Sequence, residues 1–412
     1  QNRPRQREAP LAKGSRQDQR NSGENDMFLK QTVKRNPMLV ETGFDLMRRK
    51  EILPDTYVVD TDAYLANAAK ILAEGKRQGV DLYFMLKQTG RSPWLARELV
   101  KLGYAGAVAV DFREARILMD HGIPICNVGH LVQCPRGFLK EIVAYEPAYM
   151  TVFSLEKIRE IDREAAAQGK TMKLLLKVVQ DQDMLYSGQT AGFSLDELPA
   201  LLDALDKLEH VQAAGVTSFP AFLFDEARGQ IEPTHNLETL AKARQILADR
   251  GIEEINVNAP SATCVRTLQA MKGYPFISSA EPGHGLSGST PLHVVSDEPE
   301  IPAVVYMSEV SHNFRGHSYC YGGGHYRRSH VHEALVGPCL QEAVYCRVQL
   351  PQPECIDYYF ELEKEMPVSD SVCMAFRHQI FVTRSHVVLV KGIQSRRPEI
   401  VGEYDSQGRK LA

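Results

Sequence analysis

Residues 56–91 read TYVVDTDAYLANAAKILAEGKRQGVDLYFMLKQTGR. Two short runs rich in β-branched and aromatic residues, TYVVDT and LYFMLK, flank an amphipathic stretch, DAYLANAAKILAEGKRQG. The runs are nearly continuous in apolar residues, as expected for parallel strands covered on both faces. Strand, helix and strand in this order make a βαβ unit. One residue breaks the pattern. Lys87 ends the second run and brings a strongly hydrated ammonium to the mouth of the core.

The rhythm continues along the chain. AGAVAV, IPICNV, AYMTVF, KLLLKVV, VQAAGVTSF, EINVNA and YPFISSAEP follow as strand-like runs, with helical patterns such as NLETLAKARQILADRG between them. That makes nine runs by residue 281, whereas a closed (β/α)8 barrel needs eight. The expected fold is therefore α/β, a TIM-like (β/α)8 barrel, with the first run leaving the barrel to pair elsewhere. A doubly wound open sheet is the rival, but no GxGxxG follows the first strand. After residue 298 the helical periodicity stops. PAVVYMSEVSHNF, AVYCRVQL, SVCMAFRHQIFVTR and HVVLVKGI are strands joined by short turns, which predicts an all-β C-terminal domain, an antiparallel sandwich or barrel. Residues 27–55 are expected to be helical, with Leu39, Phe44, Leu46 and Met47 near helical spacing. Residues 1–26 are polar and nearly free of bulky apolar side chains, and are expected to be a disordered tail or leader. The expected domains are thus 27–55, 56–298 and 299–412.

Bulk composition excludes several function classes. The 412 residues carry a net charge of -4, with 43% hydrophobic and 24% charged residues. That leaves no basic footprint for nucleic acid. No apolar run approaches the ~20 residues of a membrane span. The 8 Cys are scattered without a CxxC pair, which fits reduced thiols and a cytoplasmic location.

In a barrel of this kind, chemistry sits at the C-terminal ends of the strands. Lys87 ends an early strand, NAPSAT (258–263) ends a late one, and EPGHGLSGS (281–289) ends the last. The second loop offers Asn258, Ser261 and Thr263, and the third Glu281, Gly283 and His284. Gly-rich loops late in a barrel bind phosphate. An amine, a phosphate cradle and a carboxylate at one mouth are what pyridoxal 5'-phosphate (PLP) needs: a lysine for the Schiff base and an acid for the ring nitrogen.

These segments resemble the fold-type III PLP enzymes, the alanine racemase and ornithine decarboxylase superfamily, over nearly the whole chain from Met27. LYFMLKQTGR is similar to the family's PLP-lysine strand, which implies that Lys87 is the PLP lysine. EPGHGL is similar to the EPGR loop of the decarboxylase branch, which implies a ring-nitrogen contact for Glu281 and a phosphate contact for Gly283. The family's Arg is His284 here. KQTGRSPWLA, GHLVQCP, NAPSAT, EPGHGLSGS, SYCYGGGHYRRSH and FRHQIFVTRS together resemble the YhfX-like group. GHSYCYGGGHYRR resembles the racemase loop that supplies a tyrosine to the other subunit's PLP. The resemblance implies Tyr321, with Cys320 beside it, as the second acid/base and a homodimer with shared sites.

Each residue also has a plainer reading. Lys87 could be a solvated surface lysine, and Glu281 a rim salt-bridge partner. Ser261 and Thr263 could cap the following helix, and Gly322, Gly323 and Gly324 could form a tight turn. Cys320 could be a small buried hydrophobe. His130 could stack near the PLP ring or cap a strand end, and Tyr186 and Gln189 could contact the cofactor or substrate, or lie in a surface loop. His330 and His332, read as alternating on one strand face, make too few ligands for a metal site. Three functions stay open. The chain is expected to act on an amino acid or amine as a PLP-dependent racemase or epimerase. A PLP-dependent decarboxylase, favoured by Glu281, and a non-catalytic PLP-binding protein are the alternatives.

Overall fold

The structure, a computed structural model, describes residues 27–412; the expectation for residues 1–26 lies outside them. Eight parallel strands close a barrel: β2 (Asp81–Phe84), β3 (Gly106–Ala109), β4 (Ile125–Val128), β5 (Tyr149–Val152), β6 (Met172–Lys177), β7 (Val211–Thr217), β10 (Asn256–Asn258) and β11 (Ser279–Ala280). The ring closes where β11 pairs with β2, Ser279 opposite Asp81. β1 (Thr56–Asp60) is the extra run and lies outside the ring. A hairpin of β8 (Phe222–Asp225) and β9 (Gln230–Pro233) interrupts the alternation after β7.

Local sequence sets these elements. In α3 (Thr61–Gln78), the Asp60 side chain accepts the Ala63 N–H at 3.0 Å, and Gly79 ends the helix at a φ of 69°, a left-handed value glycine adopts without a Cβ penalty. Asp111 caps α5 (Phe112–Asp120) in the same way, and Ser92 caps α4 (Pro93–Leu102). These short loops hold the strand ends, and Lys87 with them, in fixed positions.

The rest of the chain forms a nine-stranded sheet in the order β13-β16-β15-β14-β17-β12-β1-β18-β19. Its strands are β12 (Val304–Phe314), β13 (His317–Tyr321), β14 (Glu333–Gly337), β15 (Val344–Gln349), β16 (Tyr359–Leu362), β17 (Ser371–Met374), β18 (His386–Lys391) and β19 (Glu399–Tyr404). β13 also pairs with β12, so six of these strands curl into a ring of their own. β1 sits between β12, antiparallel to it, and β18, parallel to it. The strand that opens the barrel's sequence is thus a central strand of the second layer.

Residues 27–55 contain two helices. Asn36 ends α1 (Met27–Arg35) and caps α2 (Pro37–Arg48), accepting the Leu39 N–H, with Pro37 at the first helical position. Leu39, Val40 and Phe44 of α2 bury against Val58, Val305, Met307 and Val388 of the sheet. Truncating one such side chain to alanine costs about 2–5 kcal/mol. Asn36 Nδ2 also donates to Asp60 at 3.0 Å and to the Pro302 carbonyl at 3.0 Å, which fixes the helices to β1. No helix among the described residues is long and apolar enough to cross a membrane.

Candidate active site

Loops at the barrel's strand ends and loops of the β domain line a cavity of about 780 Å³. Lys87, Ser261, Thr263, Glu281, Gly283 and His284 line it, as do Tyr186 and Gln189.

Lys87 opens a short 3-10 turn, Lys87–Thr89, directly after β2. It is half-buried, and its amine has no hydrogen bond among the described residues. Burial pulls its pKa down to about 8; the carboxylates of Glu114 and Glu281 work against this, and the guanidinium of Arg377 adds to it. Such an amine is partly deprotonated near neutrality, unlike a solvated lysine. Glu114 was not foreseen. It is fully buried, accepts the Val110 N–H at 3.0 Å, and is pushed up to about 7 by burial. Beneath it, Arg91 and Asp111 form a buried ion pair at 2.6 Å.

Glu281 stands just past β11. Asn127 Nδ2 donates to its Oε1 at 3.3 Å, while Oε2 has no hydrogen-bond partner among the described residues. Burial raises its pKa to about 7. His130 Nε2 lies 3.7 Å from Oε2, but burial pulls the imidazole down to about 3, so it is neutral and the contact is not an ion pair. Both His130 ring nitrogens are unpartnered among the described residues. His130 and Asn258, both expected to touch the cofactor, are fully buried and do not line the cavity. Asn258 accepts from Thr217 Oγ1 at 2.8 Å and donates to Ser279 Oγ at 3.1 Å. An aromatic series runs outward from His130 to Phe219 (5.7 Å) and on to Tyr186 (5.6 Å).

The two late loops pack backbone to backbone. A Cβ on Gly285 would come within 2.2 Å of the Thr263 carbonyl oxygen, and one on Gly283 within 2.5 Å of Gln88 Nε2. At Gly285 only glycine allows this approach, because the opposing atom is backbone; at Gly283 a Cβ would have to displace the Gln88 side chain. Ser261 and Ala262 hold left-handed φ values of 113° and 50°. The helix-capping alternative for Ser261 and Thr263 does not hold. Cys264 is the cap residue of the helix Val265–Met271, and the Glu300 carboxylate accepts the Val265 N–H at 2.6 Å.

His284 stands where the EPGR pattern has arginine. Its Nδ1 is 3.0 Å from Ser289 Oγ, and its Nε2 receives Arg377 Nε at 3.4 Å and Gln379 Nε2 at 3.3 Å. With Nε2 accepting, the ring is neutral, and burial holds its pKa well below the ordinary value. The positive charge at this position comes from Arg377, in the FRHQ segment after β17. Sequence reasoning quoted that motif but gave Arg377 no role, because nothing local brings residue 377 to residue 284.

Two expectations are corrected: Cys320 as an acid/base group, and His330 and His332 on one strand face. Cys320 is fully buried in the hydrophobic core of the sheet, and burial pushes its thiol up to about 12, so it is no acid/base group. Alternate residues of β13 point to opposite sides, which sends Tyr321 outward. Tyr321 is 37% exposed, lies 5.9 Å from the Tyr359 ring, and does not line this chain's cavity. His330 and His332 lie before β14 rather than on a strand; His330 reaches the cavity rim.

Residues 59–291 match the family model of the alanine racemase N-terminal domain, and residues 305–400 match that of the YhfX-like C-terminal domain. The chain is 44% identical over 386 residues to the uncharacterized protein YhfX of Escherichia coli K12, covering 93% of this chain and 100% of that one. Among solved structures, a D-threonine aldolase from Filomicrobium marinum superposes with a TM-score of 0.64 at 17% identity, covering 86% of this chain and 95% of its own. A diaminopimelate decarboxylase from M. jannaschii gives 0.63 at 13%, with 90% and 92% covered. An alanine racemase from Clostridium difficile 630 gives 0.58 at 15%, with 86% and 99% covered. At these identities the structures share the fold.

Proposed function

The chain belongs to the alanine racemase-like family with the fold of the fold-type III PLP enzymes, in its YhfX-like branch, and from that premise we propose that it is a PLP-dependent enzyme that breaks a bond at the α-carbon of an amino acid. The observation that carries the reading is Glu281 Oε2, a buried carboxylate oxygen with no partner among the described residues, on the same cavity as the Lys87 amine. An unpaired buried acceptor is costly unless a ligand satisfies it. A protonated pyridine nitrogen suits it, and the residues around it fit the rest of the cofactor. Lys87 would hold PLP covalently. Gly283, the Ser261–Thr263 loop and Arg377 would hold its phosphate, and His130 would sit behind Glu281, outside the cavity. PLP, when bound, supplies an electron sink for the pair left as the α-bond breaks.

This chain's own residues do the remaining work. Lys87, with a pKa near 8, takes or returns a proton at the α-carbon on its side of the site. Asn127 orients Glu281, which keeps a proton on the ring nitrogen. Racemisation or epimerisation is the reaction we favour. It needs a second acid/base on the opposite side, and the exposed Tyr321, from a partner subunit, would supply it in a homodimer. Tyr321 sits on an outer aromatic face with Tyr359, Tyr319 and His312, which suits an interface between copies. Decarboxylation is the second reading, favoured by Glu281, because a protonated ring is the stronger sink.

Absorbance before and after borohydride, followed by peptide mass mapping, tests the cofactor assignment. The expected result is a near-visible band, with the reduced label on Lys87. A label on another lysine, or a colourless protein that takes up no added PLP, refutes it. Racemisation against CO2 release, scored over D- and L-amino acids, then separates the two reactions.

A further inference from the structure

The cavity holds two guanidinium groups and spends neither on a carboxylate. Arg377 and Arg328 both line it, and among the described residues neither forms an ion pair. Arg377 is half-buried. Its side chain donates one long bond, from Nε to His284, so its two terminal nitrogens remain unassigned. Arg328 lies over the Tyr186 ring, 4.8 Å from its centroid. The two groups are close enough for Arg328 to help depress the pKa of Arg377, as burial does first. Glu226 also lines the cavity but is exposed and within ion-pair distance of neither. Two like charges kept together at a cavity wall call for an anion between or beside them.

The two arginines border different parts of the site. Arg377 touches His284 and so borders the glycine loops. Arg328 rests on Tyr186, and Tyr186 leads through Phe219 to His130 and Glu281. The Arg328 end is therefore the aromatic wall, away from the glycine loops. On the PLP reading the cofactor phosphate takes up the Arg377 end beside the glycine loops. Arg328, on the aromatic wall, is left for an acid carried by the substrate.

We propose that the substrate is an α-amino acid whose side chain carries its own acidic group, a carboxylate or a phosphoryl group, and that Arg328 is the residue that selects it. Tyr186 positions Arg328 by presenting a ring face to the guanidinium. The proposal rests on the PLP reading for the place of the α-amino acid, but the anion site can be measured without turnover.

The test is calorimetric titration of the cofactor-loaded protein with unreactive ligands of matched chain length: glutarate against butyrate, and 3-phosphonopropionate against both. Glutarate or the phosphonate is expected to bind about tenfold to a hundredfold more tightly than butyrate, the worth of one charge-assisted pair. Whichever is tighter identifies the acidic group. Arg328→Gln is expected to abolish the difference, and Arg328→Lys to restore part of it, with the absorbance band of the Lys87-bound cofactor unchanged in both. Equal affinities for butyrate and the doubly charged ligands overturn the proposal. So does a preference that survives Arg328→Gln, or one that is lost only in Arg377→Gln together with cofactor retention. Failure of the cofactor reading is distinguishable, because it appears as absence of the borohydride label on Lys87 whatever the ligand affinities.

Discussion

Replacing Glu281 with glutamine should make the cofactor-free protein more stable, and only at the alkaline end. Burial raises this carboxylate from 4.5 to about 7. The native state therefore binds its proton more tightly than the unfolded chain does. For an acid raised on folding, stability falls as pH climbs through the window between the two values. At pH 8 the difference of about 2.5 pKa units corresponds to roughly 3 kcal/mol, using 1.36 kcal/mol per unit. At pH 5 less than about 1 kcal/mol of it has developed. Glutamine is nearly isosteric and carries no charge, so Glu281→Gln removes the penalty. With an unfolding entropy of about 2.1 cal/mol/K per residue, the melting temperature at pH 8 should rise by roughly 4 °C. The assay is differential scanning calorimetry of both proteins without cofactor at pH 5 and pH 8. Added PLP should then stabilise the parent more than the variant, because only the parent presents a charge to the ring nitrogen. An equal gain at both pH values, or no gain at pH 8, would refute the idea that an ionised carboxylate is held there at a cost.

Arg91→Ala leaves Asp111 buried without its partner, and should cost about 3–5 kcal/mol in denaturant unfolding; a loss under 1 kcal/mol would mean that the pair is solvated. Cys320→Ala should lower stability by about 1 kcal/mol and leave the PLP spectrum and turnover unchanged, since the thiol is packed in the sheet. Any selective loss of rate would return Cys320 to the site. Tyr321→Phe should slow proton transfer from one enantiomer far more than from the other. Equal residual rates from both would remove Tyr321 from the reaction.

The barrel was legible because parallel strands buried on both faces leave an unmistakable run of apolar residues, and because nine runs for eight places forced one out. The partners of that ninth strand were not legible. β1 pairs with residues near 304–307 and 386–390, and pairing across such distances leaves no local pattern. Lys87 and the two late loops were visible because the fold dictates that strand ends meet. Arg377 and Arg328 were not, since the β domain reaches the cavity through loops whose direction no periodicity encodes. Cys320 and Tyr321 show a narrower limit. Neighbours on a strand point to opposite sides, and the sequence around them does not set which of the two faces inward.

The placement of β1 also bears on how the chain is made. The strand leaves the ribosome early, yet both of its neighbours, β12 and β18, are encoded near the other end. At about 5–20 residues per second, some tens of seconds separate its synthesis from that of β18. Throughout that interval TYVVD is an apolar segment without its strand partners, and for the last part of it the barrel strands downstream are already complete. A nascent chain built this way has a reason to engage a chaperone at its beginning rather than its end.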